Sequence, residues 1–439
     1  MRFRFLACLS LLVAMPAAAE TVIPGTRIRA PGPIVSETVI VHAGRLISDA
    51  SKPAAGPSTI TITGGRITAV ADGLVPAPAG AGFVDLSGKT VLPGLIDTHV
   101  HLSGDPGGDY RDEAVDPDEW AALVGAKNAR ITALAGFTTV RDLGSPPRVG
   151  FVLRRATERG FIPGPRIVAS GPAISIIGGH GDVSGFRPEV MRALSIDNTC
   201  TGAEQCAARV REFSRAGADL IKITATGGVL SQQARGLGQH FTDAEMKAIV
   251  DTAHSLGLKV AAHAHSARGI EAAARAGVDS IEHGTFADAR AIAAMKASGS
   301  TLVPTLMAFT GIRERLGKGV YTPVVEAKIR ETLSEVGKAA RAARAAGVPV
   351  VFGTDAAVFE HGRNAQELAL LVDLAGMSPA EAIASATTGA AKLLGMEAQV
   401  GRIAPGYSAD LIAVSGDPLR DVRVLEHVDY VMVRGEAIQ

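Results

Sequence analysis

The chain has 439 residues, of which 47% are hydrophobic and 20% charged, a composition typical of a folded globular protein rather than a disordered one. Lysine plus arginine and aspartate plus glutamate both number 44, so the charge balance indicates no polyanionic partner such as nucleic acid. This length accommodates one large domain with an accessory domain, or two to three ordinary domains.

The first segment, residues 1–19, differs from the rest of the chain. Arg2 and Arg4 precede an apolar run over residues 5–15, and three alanines follow at positions 17–19. This order is typical of a secretory signal peptide, and the apolar run is too short to span a bilayer. We therefore expect residues 1–19 to be removed and the mature protein to be exported, periplasmic or secreted, without stable membrane insertion.

Two of the three cysteines remain after this segment is removed. Cys200 and Cys206 lie in a short polar stretch, and an oxidising compartment favours a local disulfide between them. The alternative is that they are two separate core residues, or that they lie too far apart to bridge. We predict the disulfide.

Both ends of the mature chain predict short strands. The amino-terminal segments are rich in β-branched residues in an alternating pattern, and Gly64-Gly65 suits a hairpin turn. The predicted strands cover residues 38–42, 58–63, 409–414 and 430–433. Because the middle of the chain has a different pattern, we predict one small β-sandwich domain formed by residues 20–90 and 399–439.

Residues 91–398 repeat a pattern of strand, loop and helix. The strands are continuous apolar runs, as expected for parallel strands that are buried on both faces. After a first strand that begins at residue 91, they cover residues 138–140, 166–169, 220–223, 259–262, 280–281, 301–303 and 349–352. Residues 242–245 and 378–381 are capping boxes that open helices. Eight such units predict an α/β fold, a (β/α)8 TIM barrel, for which about 250 residues is typical.

Unusual polar residues lie at the predicted carboxyl ends of these strands, where the active site of such a barrel is placed. The first strand ends in His99 and His101, whose side chains share a face because residues two apart in a strand point the same way. Later strands end near Asp142, residues 175–180, Lys222, His263, His283 and Asp355. Imidazoles and a carboxylate suit zinc or a similar divalent ion, so the pattern predicts a metal site.

The residues around these positions make a family resemblance specific. The motifs are Pro93-Gly-Leu-Ile-Asp-Thr-His-Val-His101, Ala262-His-Ala-His265, Ile281-Glu-His-Gly284, Gly353-Thr-Asp355 and a segment over residues 401–418. They resemble those of the amidohydrolase superfamily of metal-dependent hydrolases, over nearly the whole mature chain. The resemblance implies two divalent metal ions.

The resemblance also implies how six residues would hold these ions, with zinc favoured by the ligand types. One ion would be bound by His99, His101 and Asp355 and the other by His263 and His283, with Lys222 bridging both as a carbamate formed with carbon dioxide. Most lysines are surface or salt-bridged residues, but Lys222 ends an apolar strand, where an unpaired charge is costly. Asp355 could accept a proton from water and pass it to the leaving group.

Five other residues are weaker candidates for a role in the site. His180, in a glycine-rich stretch after the third strand, is placed to polarise a substrate carbonyl, which the resemblance supports; a structural loop histidine is the alternative. His361 and Arg363 follow the last strand and are expected to line the pocket, where Arg363 could meet a substrate carboxylate, as could Arg235. His265 is expected to support the site or to cap the next helix.

Retention of Lys222 indicates a two-metal hydrolase of this superfamily rather than a one-metal deaminase. The chain most resembles the branch of Xaa-Pro and Xaa-Lys/Arg dipeptidases and carboxypeptidases and of ochratoxin-type amidohydrolases. We therefore expect hydrolysis of an amide bond to a C-terminal L-amino acid in a small-molecule amide or peptide. A cyclic-amide hydrolase or lactonase is the alternative, and a non-catalytic barrel scaffold is least favoured. The resemblance also implies a homo-oligomer.

Overall fold

The computed structural model describes residues 38–107, 115–232 and 236–438. The predicted signal peptide and Arg235 lie outside these residues. Within the described ranges, no helix is both long and apolar enough to cross a membrane.

The strands of the described residues fall into an amino-terminal group, a central group and a carboxyl-terminal group. They are β1 (Thr38–Leu46), β2 (Ser58–Thr63), β3 (Arg66–Asp72), β4 (Gly82–Pro93), β5 (Leu95–Val100), β6 (Phe137–Asp142), β7 (Arg166–Ala169), β8 (Leu220–Thr224), β9 (Lys259–Ala264), β10 (Ser280–His283), β11 (Thr301–Val303), β12 (Leu411–Val414), β13 (Val428–Val433) and β14 (Glu436–Ala437).

The helices lie between the central strands and after them. They are α1 (Asp118–Leu134), α2 (Val149–Glu158), α3 (Pro188–Leu194), α4 (Ala203–Ala216), α5 (Asp243–Ser255), α6 (Ala267–Ala276), α7 (Ala289–Ser298), α8 (Leu306–Arg315), α9 (Pro323–Leu333), α10 (Lys338–Ala345), α11 (Gln366–Asp373), α12 (Pro379–Ala384) and α13 (Ala390–Leu394). Both predicted capping boxes are confirmed, at the starts of α5 and α12, where side chain and backbone satisfy each other's hydrogen bonds.

Strands from both ends of the chain form one mixed sheet in the order β14-β13-β12-β4-β1-β2-β3. β1 and β4 are parallel, whereas the other neighbours are antiparallel. Gly64 and Gly65 form the predicted β2–β3 turn with φ angles of 59° and 75°, which glycine adopts without steric cost. Inward-facing residues such as Val41, Ile60 and Leu411 give this sheet its own core. The predicted small domain built from both termini is confirmed.

The central strands form the wall of a barrel. β5–β7 and β8–β11 are two parallel sheets, and isolated parallel bridges link them into a ring: Ile174 with Ile223, Leu302 with Val350 and Val100 with Ala356. Residues 349–352, predicted as the eighth strand, occupy the closing position through one such bridge and backbone hydrogen bonds rather than as a regular strand. The predicted (β/α)8 architecture is confirmed.

Gly94 alone separates β4 of the terminal sheet from β5 of the barrel. A Cβ atom at this position would lie 2.1 Å from Oγ1 of Thr138, so a larger residue would displace the neighbouring strand. The Gly94 amide donates to the carbonyl of Asp410 (3.0 Å), just before β12. The strand that carries His99 is thus anchored directly to the terminal sheet.

The predicted disulfide between Cys200 and Cys206 is confirmed, with Cα atoms 5.0 Å apart. Cys206 lies in the first turn of α4, and the amide of Cys200 donates to the carbonyl of Ser175. The Ser175 hydroxyl in turn accepts a hydrogen bond from the amide of Gly181 (3.2 Å). The disulfide therefore fastens α4 to the loop that carries His180.

Candidate metal centre

The predicted metal ligands converge at the carboxyl end of the barrel strands. One cavity of about 320 Å³ is lined by all six of them: His99, His101, Lys222, His263, His283 and Asp355. Strand ends of a parallel barrel open on the same rim, which is why residues far apart in sequence meet there.

Asp355 lies beside both histidines of the first strand. Its Oδ1 atom is 3.2 Å from Nε2 of His99 and 3.2 Å from Nε2 of His101, and the ligand atoms of His99, His283 and Asp355 lie within 4.8 Å of one another. Burial raises the pKa of Asp355, but its interactions with His99 and His101 outweigh burial and hold that pKa well below its usual range. The group is therefore a carboxylate, the form that binds a cation.

A second cluster consists of His263, His265 and His283, whose ligand atoms also lie within 4.8 Å of one another. Burial lowers the pKa of His263 and of His283 well below the usual value, so both rings are neutral, the form that binds metal. Nδ1 of His265 lies 2.8 Å from Oγ1 of Thr285. Helix α6 is capped by Ser266, so the capping role considered for His265 is wrong, and its ring lines the cavity instead.

Hydrogen bonds to backbone carbonyls fix the position of one ring proton in two of the predicted ligands. Nδ1 of His101 lies 3.0 Å from the carbonyl oxygen of Gly144, and Nε2 of His263 lies 3.3 Å from that of Gly227. Because a carbonyl can only accept, these two nitrogens carry the protons. In the neutral form of each ring the lone pair is therefore on Nε2 of His101 and on Nδ1 of His263, where a metal ion could bind.

Glu282 is a functional residue that the sequence interpretation missed. It is fully buried, with Oε2 2.8 Å from Nδ1 of His99 and Oε1 2.9 Å from Arg141. Burial raises the pKa of Glu282, but the charge of Arg141 and the hydrogen bond to His99 lower it to about 2. A carboxylate of this kind holds the imidazole in one tautomer with Nε2 free. The sequence did contain a signal for this role, because Glu282 is a charged residue within a strand that is buried on both faces.

Two site residues hold strained backbone conformations. His283 has a φ of 70° and Asp355 a φ of 63°, in the left-handed region that residues other than glycine rarely adopt. Each such residue costs about 1–3 kcal/mol, and strain of this kind concentrates at functional sites. The Asp355 amide donates to the carbonyl of His99 (2.7 Å), which helps to hold the strained turn in place.

Lys222 is almost fully buried, with 3% of its surface exposed, and its Nζ atom is 3.5 Å from Nε2 of His99. Burial lowers the pKa of Lys222 to about 8, against the opposing charges of Glu282 and Asp355. Within the described residues, no carboxylate oxygen pairs with this ammonium at salt-bridge distance. A lysine in this position is suited to chemistry of its amine rather than to a structural ion pair.

His180 lies on the cavity wall, as predicted. Its ring centroid is 4.3 Å from that of His263, and its Nδ1 is 2.6 Å from Oγ of Ser231. Burial, followed by the charge of Lys222, lowers the pKa of His180 to about 3. A neutral ring can offer one N–H group to a substrate.

His361 and Arg363 do not line the cavity. His361 is buried, with Nδ1 3.2 Å from Oγ1 of Thr132. Arg363 donates to Glu314 at 2.8 and 2.9 Å and to Glu360 at 3.0 Å, so its charge is already paired. Their predicted contact with the substrate therefore has no support from the cavity.

Most of the rest of the cavity wall is apolar, and this apolar part was not predicted from the sequence. It is formed by Leu143, Ala173, Val229, Leu230, Ala308, Phe309, Ile312 and Val358. These residues come from loops after β6, β7 and β8, from α8 and from the segment after residue 355. Only the folded structure brings them together, because no local pattern distinguishes them from ordinary core residues.

The donor set fits divalent cations. The neutral imidazoles of His263 and His283 and the ionised carboxylate of Asp355 are of the ligand types that zinc and similar ions prefer. The same cavity also presents apolar side chains beside these polar groups. These features define a metal-dependent enzyme site.

Comparison with known proteins agrees with the geometry. The model of the amidohydrolase family matches residues 90–438. An ochratoxinase of Aspergillus niger is 34% identical over 353 residues, which cover 76% of this chain and 72% of that protein. A solved structure of a Xaa-Pro dipeptidase with methionine bound in its active site is 37% identical, with a TM-score of 0.83 over 91% of this chain and 99% of that one.

A prolidase solved in complex with N-methylphosphonate-L-proline is also similar, at 33% identity and a TM-score of 0.83 over 92% of this chain and 99% of that one. The chain belongs to the amidohydrolase family. It is a hydrolase related to ochratoxinase and to prolidase-like enzymes.

Proposed function

We propose that the protein hydrolyses an amide bond to a C-terminal L-amino acid, in dipeptides or N-acyl amino acids that include aryl amides. The observation that carries this proposal is the cavity, in which neutral histidines, Lys222 and the ionised Asp355 lie against an apolar wall. The polar end suits metal-assisted hydrolysis, and the apolar wall suits a bulky substrate group. Similarity to an ochratoxinase and to a Xaa-Pro dipeptidase supports this reaction class.

The proposal includes two zinc ions. His99, His101 and Asp355 would hold one and His263 and His283 the other, with Lys222 shared as a carbamate. Lys222 is buried and has no ion-pair partner among the described residues, which supports the carbamate. The added carboxyl group would give the side chain a negative charge, which would bind the metal cations. Bound zinc supplies a Lewis acid and lowers the pKa of a bound water to about 7.

Asp355 is proposed as the proton carrier. Its carboxylate accepts a proton from the attacking water and returns it to the nitrogen of the leaving amino acid. His180 is proposed to polarise the substrate carbonyl. If the Ser231 hydroxyl donates to Nδ1 of His180, the ring proton is on Nε2, which can donate to the carbonyl oxygen as its negative charge develops.

The cavity wall favours apolar substrates. Among the described residues that line it, Lys222 is the only lysine or arginine. Burial of an aromatic or branched side chain against Phe309, Ile312 and Val358 contributes about 25 cal/mol per Å² of apolar surface. We therefore expect amides of phenylalanine, leucine or proline to be better substrates than amides of lysine or arginine.

The cellular location and assembly are also proposals. The disulfide of Cys200 and Cys206 supports an oxidising compartment, which agrees with export by the predicted signal peptide. Assembly as a homo-oligomer follows from the family resemblance. Fractionation of expressing cells and light scattering of the purified protein would measure each.

The test of function is a product-release assay. The zinc-loaded protein is offered a panel of dipeptides, N-acyl amino acids with N-aroyl-phenylalanine among them, cyclic amides and lactones, and freed amino acids are identified by mass spectrometry. Release of an apolar amino acid from linear amides is the expected result. Turnover confined to cyclic amides or lactones, or no turnover with metal bound, would overturn the proposal.

A further inference from the structure

Lys328, on α9, is a buried cation outside the metal-binding set. Only 6% of its surface is exposed, and burial lowers its pKa below the usual value. Its Nζ atom donates to the carbonyl oxygens of Gly228 (2.9 Å) and Ser231 (2.6 Å). Within the described residues, no carboxylate forms an ion pair with it. A buried ammonium is costly unless it is hydrogen-bonded, and these two carbonyls are the acceptors that compensate its burial.

The segment held by Lys328 is residues 228–231, which we call the β8 loop. Val229 and Leu230 of this loop line the substrate cavity. Val229 also packs in a buried cluster with Val325 and Ile329 of α9. The β8 loop is therefore held against α9 in two ways. Val229 in its middle makes apolar contacts, and the Lys328 ammonium binds the carbonyls at its two ends.

The same loop contacts His180 at both of its ends. Oγ of Ser231 lies 2.6 Å from Nδ1 of His180. A Cβ atom at Gly228 would lie 2.3 Å from that nitrogen, so the ring rests directly on the backbone there. Gly227, just before the loop, accepts a hydrogen bond from His263. Small movements of the loop would change both the position and the proton arrangement of the His180 ring.

We propose that Lys328 is a positioning residue that fixes the β8 loop, so that Ser231 and Gly228 hold His180 in the orientation needed to polarise the substrate carbonyl. This inference rests on the proposed function of His180. Two charge-assisted hydrogen bonds to opposite ends of one short loop restrict it more than contacts to a single point would. Lys328 itself does not line the cavity and need not touch the substrate.

The first test is Lys328→Met, which keeps the apolar stem and removes the donors. Misplacement of a catalytic group by about 1 Å can cost up to about 100-fold in rate, so we expect kcat to fall by about ten- to 100-fold with zinc content unchanged. Lys338→Met, at an exposed lysine paired with Glu335, is the matched control and should keep full activity. Unchanged kcat in Lys328→Met would overturn the inference.

The second test is a double-mutant cycle with His180→Ala. If Lys328 acts through His180, adding Lys328→Met to His180→Ala should lower kcat no further. An equal fold-loss in both backgrounds would overturn the coupling, whatever the role of His180. Full activity of His180→Ala alone would instead contradict the proposed function of His180, so the two failures are distinguishable.

Two further measurements guard against a variant that merely fails to fold. Ser231→Ala removes the hydroxyl that contacts His180, and Lys328→Arg keeps a cation at position 328. We expect Ser231→Ala to lower kcat as Lys328→Met does, and Lys328→Arg to retain more activity than Lys328→Met. Ring ¹⁵N NMR shifts of His180 report its tautomer without any turnover. They should change in Lys328→Met and Ser231→Ala, and identical shifts in all the proteins would overturn the inference.

Discussion

Nδ1 of His99 lies 2.8 Å from Oε2 of Glu282, and both side chains are fully enclosed in the barrel. Arg141 neutralises the other oxygen of this carboxylate at 2.9 Å. Glu282 and Arg141 therefore hold the His99 ring from behind, so that its Nε2 atom faces the proposed metal site.

Glu282→Gln should weaken metal binding by about 10- to 100-fold, because an amide cannot accept as strongly from Nδ1 or balance Arg141. Competition with a chromophoric chelator measures the metal affinity. Glu335→Gln, at a carboxylate on the surface that pairs with Lys338, is the control and should leave the affinity unchanged. An unaltered affinity in Glu282→Gln would show that His99 needs no such support.

Asp355→Asn should reduce turnover by about 10²- to 10⁴-fold, because the amide cannot accept and return a proton. Metal should still be bound when the variant is saturated with zinc, since the histidine ligands remain. Activity and zinc content are measured on the same sample, with Asp251→Asn on α5 as the control. Persistent normal turnover would remove the proposed role of Asp355.

The double substitution Cys200→Ala with Cys206→Ala should lower the free energy of unfolding by about 2 kcal/mol, the value expected for closing a short loop. The two cysteines are separated by six positions in the sequence, which limits the entropy that the link removes from the unfolded chain. Urea denaturation compares the variant with the oxidised parent. Equal stability would mean that the disulfide constrains neither state.

Glu381, in the capping box of α12, provides a pH-dependent prediction. Hydrogen bonds from the Ser378 amide and from Arg344 lower the pKa of Glu381 to about 2. Since the folded pKa is depressed, its stabilisation is present above the unfolded pKa of 4.5 and is lost as pH falls towards about 2. The half-exposed side chain is screened by solvent, so we expect no more than about 1 kcal/mol.

Glu381→Gln should therefore be less stable than the parent at pH 7 but equal to it near pH 2, as measured by urea denaturation at each pH. Ser378 would still cap the helix through its own hydroxyl, which accepts from the Glu381 amide. A stability difference that is the same at both pH values would contradict the assignment.

The fold and the residues that meet in the cavity were predictable because their signals are local. The spacing of His99 and His101 places both side chains on one face of a strand. A lysine such as Lys222 in an apolar strand is unusual, because its charge is costly to bury unless a partner lies nearby. The capping boxes before α5 and α12 depend on four consecutive residues each, and the structure forms both.

Contacts between distant segments were not predictable in the same way. His99 and Glu282 are 183 positions apart, and nothing near either residue indicates the other. Arg363 was expected to bind a substrate carboxylate, but it forms an ion pair with Glu314, which lies 49 positions earlier in the chain. The apolar wall likewise depends on how α8 and the β8 loop approach each other, which side-chain packing decides.

The single residue Gly94 between β4 and β5 has a consequence for the whole chain. β4 lies between β1 and β12, so segments from both tails brace the strand that leads to His99. Proteolytic removal of the carboxyl-terminal strands β12–β14 would leave one edge of β4 unpaired and would make the barrel rim near His99 less rigid. We expect this cleavage to abolish activity while the helical circular dichroism signal is retained. Activity would then depend on a segment that is distant from the metal site.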